Sequence, residues 1–151
     1  DKTLHAIRSG FTLSQFEQAV SDLHKRNIPV ITHLILGLPG ETKEDMLSSV
    51  RYVGSLPVTG IKLQLLHILK GTDLGTAYMA DPFPLFTLEE YCDLIADCIA
   101  LLPPEIVIHR LTGDGPRNLL LAPLWSTDKK RVLNTIQKCL RERDLWQGKN
   151  I

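Results

Sequence analysis

The sequence predicts an α/β fold in which helices cover a parallel sheet. Three observations lead there. Three apolar runs of strand length alternate with segments of helical period. Two of the helical segments open with a threonine followed three residues later by Gln or Glu, the spacing of a capping box. The turns that follow the three strands would gather at one edge of the sheet, where such folds collect ligands.

The elements follow in order. Thr12 with Gln15 caps a first helix, and Leu13, Phe16, Val20 and Leu23 recur on one of its faces. Asn27 is its stop. The run IPVITHLIL, residues 28–36, is nearly continuous and β-branched, as a strand buried on both faces is. GLPGE forms the next turn, with Thr42 as N-cap of a second helix whose inward face is Met46, Val50 and Val53. Pro57 and Gly60 break the chain before IKLQLLHIL, residues 61–69, the second strand. A long loop, KGTDLGTAYMADPFPLF, is expected next. Thr87 with Glu90 opens a third helix with Leu88, Tyr91, Cys92, Ile95, Ile99 and Leu102 inward, and Pro103 and Pro104 end it. EIVIHRL, residues 105–111, is the third strand. GDGPR, residues 113–117, leads to a last helix over about 127–143 with Val132, Ile136 and Leu140 inward, and an irregular tail.

Composition narrows the function classes. The 151 residues suffice for one domain with a core, spanning residues 1–151. Lys+Arg and Asp+Glu both number 17, which argues against a nucleic-acid or anionic-membrane binder. No apolar run reaches the ~20 residues of a membrane span, and there is no secretory leader pattern. Three cysteines, an odd number, suit a reducing compartment, so a cytoplasmic protein is expected. The chain begins at Asp1 rather than Met, and a piece of something longer is expected.

Strand alternation assigns faces. Ile61, Leu63 and Leu65 share the face that packs on helices. Lys62 and Gln64 fall on the other, concave side, because Lys and Gln are poor candidates for a helix-packed face. His33 and Ile35 share a parity and are placed with them. In the third strand His109 and Arg110 alternate, so one of them is expected in the site and the other nearer the rim. A polar cavity lined by His33, Lys62, Gln64 and one of these two is expected.

The turn ILGLPGET resembles a phosphate-binding loop without being one. Gly37 and Gly40 are too close for that motif, and Glu41 stands where the lysine should be. What remains is a tight turn into a helix N-terminus, suited to one carboxylate, a hydroxyl or the edge of a base, or else an ordinary strand-to-helix turn. Cys92 and Cys98 are six apart on a helix and share no position on its surface, so no metal site is read there. Asp114 and Arg117 in GDGPR are turn chemistry first, with Arg117 a possible anion contact. The run DKKR at 128–131 reads as a solvated face.

Together THLILGLPGET, KLQLLHILKGT and IHRLTGDGPRNLLLAPLWSTDKK resemble the C-terminal half of a radical S-adenosylmethionine protein of the YhcC-like Fe–S oxidoreductase group, over essentially the whole chain. The resemblance implies part of a (β/α)6 partial TIM barrel, with residues 28–36 as its fifth strand, 61–69 as its sixth, the concave face as barrel lumen, and a C-terminal extension. It implies that Ile35 packs on the adenine of S-adenosylmethionine, that His33 approaches the cofactor, that the backbone at Leu66 and His67 gives a further adenine contact, and that Gly37, Pro39 and Gly40 shape the turn below. His109, Arg110, Asp114 and Arg117 become substrate-side candidates. The parent would use a [4Fe–4S] cluster to cleave S-adenosylmethionine reductively. The cluster motif CxxxCxxC is absent from this sequence, as is every strand before the fifth. The expectation is a cluster-free half that binds no cofactor and is inactive by itself, and that self-associates through its open edge and lumen. The alternative is a self-contained α/β module with an anion site at the GLPGE turn and no catalysis.

Overall fold

Three threonines set where the long helices begin. In this computed structural model, which describes residues 2–113 and 115–151, Thr12, Thr42 and Thr87 each close a full capping box. Each hydroxyl accepts from the backbone N–H three residues on, and the side chain of Gln15, Asp45 or Glu90 accepts from the threonine's own N–H. The helices that follow are α2 (Leu13–Lys25), α3 (Lys43–Gly54) and α5 (Leu88–Ala100); a short α1 (Lys2–Ala6) precedes them. Asn27, at φ 56, turns the chain out of α2. The last helix, α6 (Lys129–Glu142), is capped by Asp128, whose carboxylate accepts from the Arg131 N–H. The acidic residue of DKKR thus offsets the basic first turn.

The strands β1 (Ile31–Leu36), β2 (Gly60–Leu65) and β4 (Val107–Arg110) form one parallel sheet in the order β1-β2-β4. Leu36, Ile61, Leu63, Val50, Tyr91 and Ile95 meet beneath it with almost no exposure. Each such side chain contributes about 1.5–3 kcal/mol by leaving water. Helices α2, α3, α5 and α6 pack their apolar faces into the core on one face of the sheet, so the expected α/β class and the three parallel strands are what the chain forms.

Four expectations need correction. The run 61–69 is two strands, because after Leu65 the chain leaves the sheet. Leu66 and Ile68 enter a second small core with Ala122. There β3 (Ile68–Leu69) pairs antiparallel with β5 (Leu120–Ala122), a strand the sequence did not reveal. The long loop after Leu69 contains a helix, α4 (Asp73–Ala80), capped by the Thr72 hydroxyl, which accepts from Gly75 N–H at 2.9 Å. Gly75 is required there, because a Cβ would run into the Leu69 carbonyl. The tail is irregular, as expected, and it is anchored. Gln147 Nε2 donates to the carbonyls of Pro103 and Ile106 at 2.7 Å each, and Asn150 N–H donates to Ala100 O at 2.9 Å. The fourth correction concerns β4 and belongs to the site. Among the described residues no helix is long and apolar enough to cross a membrane.

Candidate functional site

The side of the sheet away from the helices is built from alternate residues. Register pairs Ile31 with Gly60, His33 with Lys62 and Ile35 with Gln64, so each pair shares a side. Ile31, His33 and Ile35 are exposed, while Thr32 and Leu36 are buried on the helix side. The sequence placed His33, Ile35, Lys62 and Gln64 together, and they are together.

His109 and Arg110 do not alternate as expected. The register steps from Ile61↔Ile108 to Lys62↔Arg110, leaving His109 as the extra residue of a bulge. Arg110 therefore lies level with Lys62. The His109 ring lies over Gly60, where a Cβ would stand 2.6 Å from Cδ2 and from Nε2. Both residues thus join the open face. Desolvation, then the charges of Lys62 and Arg110, hold the His33 imidazole below its usual range.

At the carboxyl ends of the strands the turn 37–41 works against the segment 83–86. A cavity of about 390 Å³ is lined by Gly37, Pro39, Gly40, Leu66, Phe83 and Phe86, among others. Gly37, at φ 89, sits so close to Phe86 that a Cβ would stand 3.0 Å from the ring. His33 and Ile35 line a different cavity, of about 370 Å³, together with Phe11 and Tyr52. Leu38 and Glu41 border both. The residues grouped by sequence as cofactor contacts are thus divided between two spaces. Burial pushes the Glu41 carboxyl up, against a hydrogen bond from Thr3, with the Asp45 charge adding to the rise.

Four of the amides in and after the turn have protein acceptors. Gly37 N–H donates to Met46 Sδ at 3.1 Å, Glu41 N–H to Leu38 O at 3.1 Å, and Thr42 N–H to Asp45 Oδ2 at 2.8 Å. Asp45 N–H goes to the Thr42 hydroxyl. Glu44 and Asp45 in the first helical turn add negative charge beside the GLPGE turn, which disfavours an anion there.

His67 is held elsewhere, between two glycines. Its Nδ1 accepts from Gly115 N–H at 3.2 Å, and a Cβ on Gly113 would overlap Nε2 outright. This joins the loop after β2 to the loop after β4. Arg117 donates from Nη2 to Thr127 O at 2.9 Å, holding its loop to the 3-10 turn Leu124–Thr127. Asp114 lies outside the described residues. Sequence reasoning missed Phe83, Phe86 and the two glycines around His67; the PFP spacing and the GDG triplet were the only signals.

The thiols are poor metal ligands. Burial pushes Cys92 and Cys98 up to about 12, and Cys139 Sγ contacts Asp93 Oδ1 at 3.1 Å. Among the described residues no group of three or more His, Cys, Asp or Glu is placed to hold a metal ion.

The Radical_SAM C-terminal domain family matches residues 58–142, more than half of the chain. The chain belongs to that family. Its similarity to YhcC of Escherichia coli K12 is 34% identity over 142 residues, covering 94% of this chain and 46% of that protein. YtqA of Bacillus subtilis is 37% identical over 149 residues, covering 99% of this chain and 46% of that one. The chain therefore spans about half the length of the curated relatives it matches, and it is a C-terminal radical S-adenosylmethionine-type domain of the YhcC group. In fold it matches the archaeal Elp3 of Methanocaldococcus infernus with a TM-score of 0.80 at 17% identity, over 97% of this chain and 34% of that one.

Proposed function

We propose that this chain is the C-terminal part of the barrel of a radical S-adenosylmethionine enzyme, an Fe–S oxidoreductase acting on a small molecule. The observation that carries the reading is the open sheet face. It presents an exposed isoleucine, Ile35, beside the Gln64 amide near the carboxyl ends of the strands. An apolar surface with a polar edge suits a planar base, so the residues present fit the adenosyl part of the cofactor. Ile35 would take the ring, with His33 beside it and the backbone at Leu66 and His67 at its edge. Gly37, Pro39 and Gly40 fix the turn. The bound group supplies one-electron hydrogen-abstraction chemistry when a reduced cluster stands beside it. The described thiols do not fit that cluster. His109 and Arg110 stand on the substrate side, with Arg117 acting through its loop.

Equal numbers of acidic and basic residues favour a small-molecule substrate over nucleic acid. Free thiols suit the cytoplasm. Taken alone, the chain leaves Ile31, Ile35 and Val107 exposed on the sheet and the outer edge of β1 without a partner strand among the described residues. Self-association covers such a surface.

The test is equilibrium binding of S-adenosylmethionine to the full product of the gene. Ile35→Asp places a carboxylate on the proposed adenine surface, and binding should weaken tenfold or more, about 1.4 kcal/mol. Unchanged affinity would remove Ile35 from the pocket and the reading with it.

A further inference from the structure

The cavity between the turn 37–41 and the segment 83–86 carries one sign of charge. Among the described residues its only ionisable side chains are Glu41 and Glu90, and no lysine, arginine or histidine lines it. The rest of the wall is apolar or glycine, with two phenylalanines, Phe83 and Phe86, and three prolines. The aromatic walls are fixed. Phe83 meets the Tyr78 ring edge-on, with the centroids 5.1 Å apart. Phe86 rests on Gly37, and its carbonyl accepts from Trp125 Nε1 at 2.9 Å. The cavity is therefore already formed, and little ordering is left to a ligand.

The two carboxylates differ. Glu90 is committed: it accepts from the Thr87 N–H at 2.8 Å and from the Thr87 hydroxyl at 2.9 Å. Glu41 has neutral donors, the Thr3 side chain and the Leu38 backbone. Among the described residues the charge that acts on it is that of Asp45, which has the same sign. Lys43, the nearest cation along the chain, pairs with Asp97 on α5 instead. Glu41 is thus a half-buried carboxylate that lacks a cation among the described residues. Burial without one is unfavourable, and a cation brought in by a ligand offsets it. Aromatic faces attract the same charge. At about 390 Å³ the cavity has the size of a small-molecule site.

We infer that this cavity binds a small organic amine, with its ammonium on Glu41 and its apolar body against Phe83 and Phe86. The site is distinct from the surface assigned to adenine, because Ile35 lines the neighbouring cavity and not this one; Glu41 borders both. The inference stands or falls independently of the S-adenosylmethionine reading.

The experiment titrates the full gene product with phenethylamine hydrochloride at neutral pH and fixed ionic strength, by calorimetry. Saturable binding is expected. Phenethyl alcohol, neutral and of the same shape, and hydrocinnamate, its anionic counterpart, should each bind at least about tenfold more weakly. Glu41→Gln should weaken the amine about tenfold or more, the scale of one charge-assisted hydrogen bond. Glu90→Gln, which keeps a capping acceptor, should change it by less than about twofold. Phe83→Leu should weaken it about threefold or more through the lost ring. Phe11→Leu, which alters the neighbouring cavity and not this one, should leave it unchanged. No saturable binding, equal binding of the alcohol, or unchanged affinity in Glu41→Gln would overturn the inference. So would a loss in Glu90→Gln that matches the loss in Glu41→Gln. Weakening by Phe11→Leu in place of Phe83→Leu would put the amine beside Ile35 and overturn it too. The comparison of amine with alcohol uses the unaltered protein, so it decides the matter even if a variant fails to fold.

Discussion

Gly113→Ala adds one methyl group where His67 leaves no room. The Cβ would overlap Nε2 and Cε1 of the imidazole and stand 3.0 Å from Cδ2. The φ at this glycine lies outside the left-handed region, so the cost comes from contact and not from backbone strain. To relieve the overlap the ring must turn or the loop must move, and either breaks the 3.2 Å hydrogen bond from Gly115 N–H to Nδ1. Overpacking costs about 1–3 kcal/mol and the lost hydrogen bond about 0.5–1.5, so a loss of about 2–4 kcal/mol is expected. Urea unfolding measures it. The decisive comparison is a double-mutant cycle with His67→Ala, which removes the obstructing ring. In that background Gly113→Ala should cost less than about 0.5 kcal/mol, a coupling of at least 1.5 kcal/mol. Equal costs in both backgrounds would refute the idea that His67 is what the glycine accommodates.

Other consequences follow from the same contacts. Tyr91 OH donates to Leu111 O at 3.0 Å, just beyond β4, so Tyr91→Phe leaves that carbonyl without its donor and should cost about 1–2 kcal/mol; an unchanged urea midpoint would contradict this. Burial alone would raise the Asp97 carboxyl, but hydrogen bonds from Lys43 and Arg143, with their charges, outweigh it and hold it below its ordinary 3.8. A depressed folded-state value means the stabilisation is complete above the unfolded value and lost as pH falls through the folded one. Stability should therefore decline from about pH 4 downward, and Asp97→Asn should flatten that decline in urea midpoints taken against pH. The isolated chain should sediment as a dimer at high concentration, and a single monomeric species would contradict its exposed edge and face.

Much of the helical layer was legible because capping is local. Thr12–Gln15 and Thr87–Glu90 announce their helices within four residues, and Val50, Val53, Tyr91 and Ile95 follow at helical spacing. The open face was legible for the same reason, since alternation in β1 and β2 depends only on neighbours along the strand. What was hidden depends on distant partners. The break after Leu65 is invisible because Leu66 and Ile68 are as apolar as the strand before them; they simply join another core. β5 is three residues long and exists only through pairing with β3. α4 holds Gly75 in its interior, a weak helix former kept because Leu69 O leaves no space for a side chain. The bulge at His109 comes from register with β2, and no reading of β4 alone could place both His109 and Arg110 on one face. The fit of His67 to the glycines of GDG likewise joins residues 48 apart.

The most direct test of the central claim is formation of 5′-deoxyadenosine from S-adenosylmethionine by the full gene product under strong reductant, measured chromatographically. The account predicts product from that protein, much less from its Ile35→Asp variant, and none from residues 1–151 alone. No product from the full protein with its cluster intact, or equal product from the variant, would contradict it.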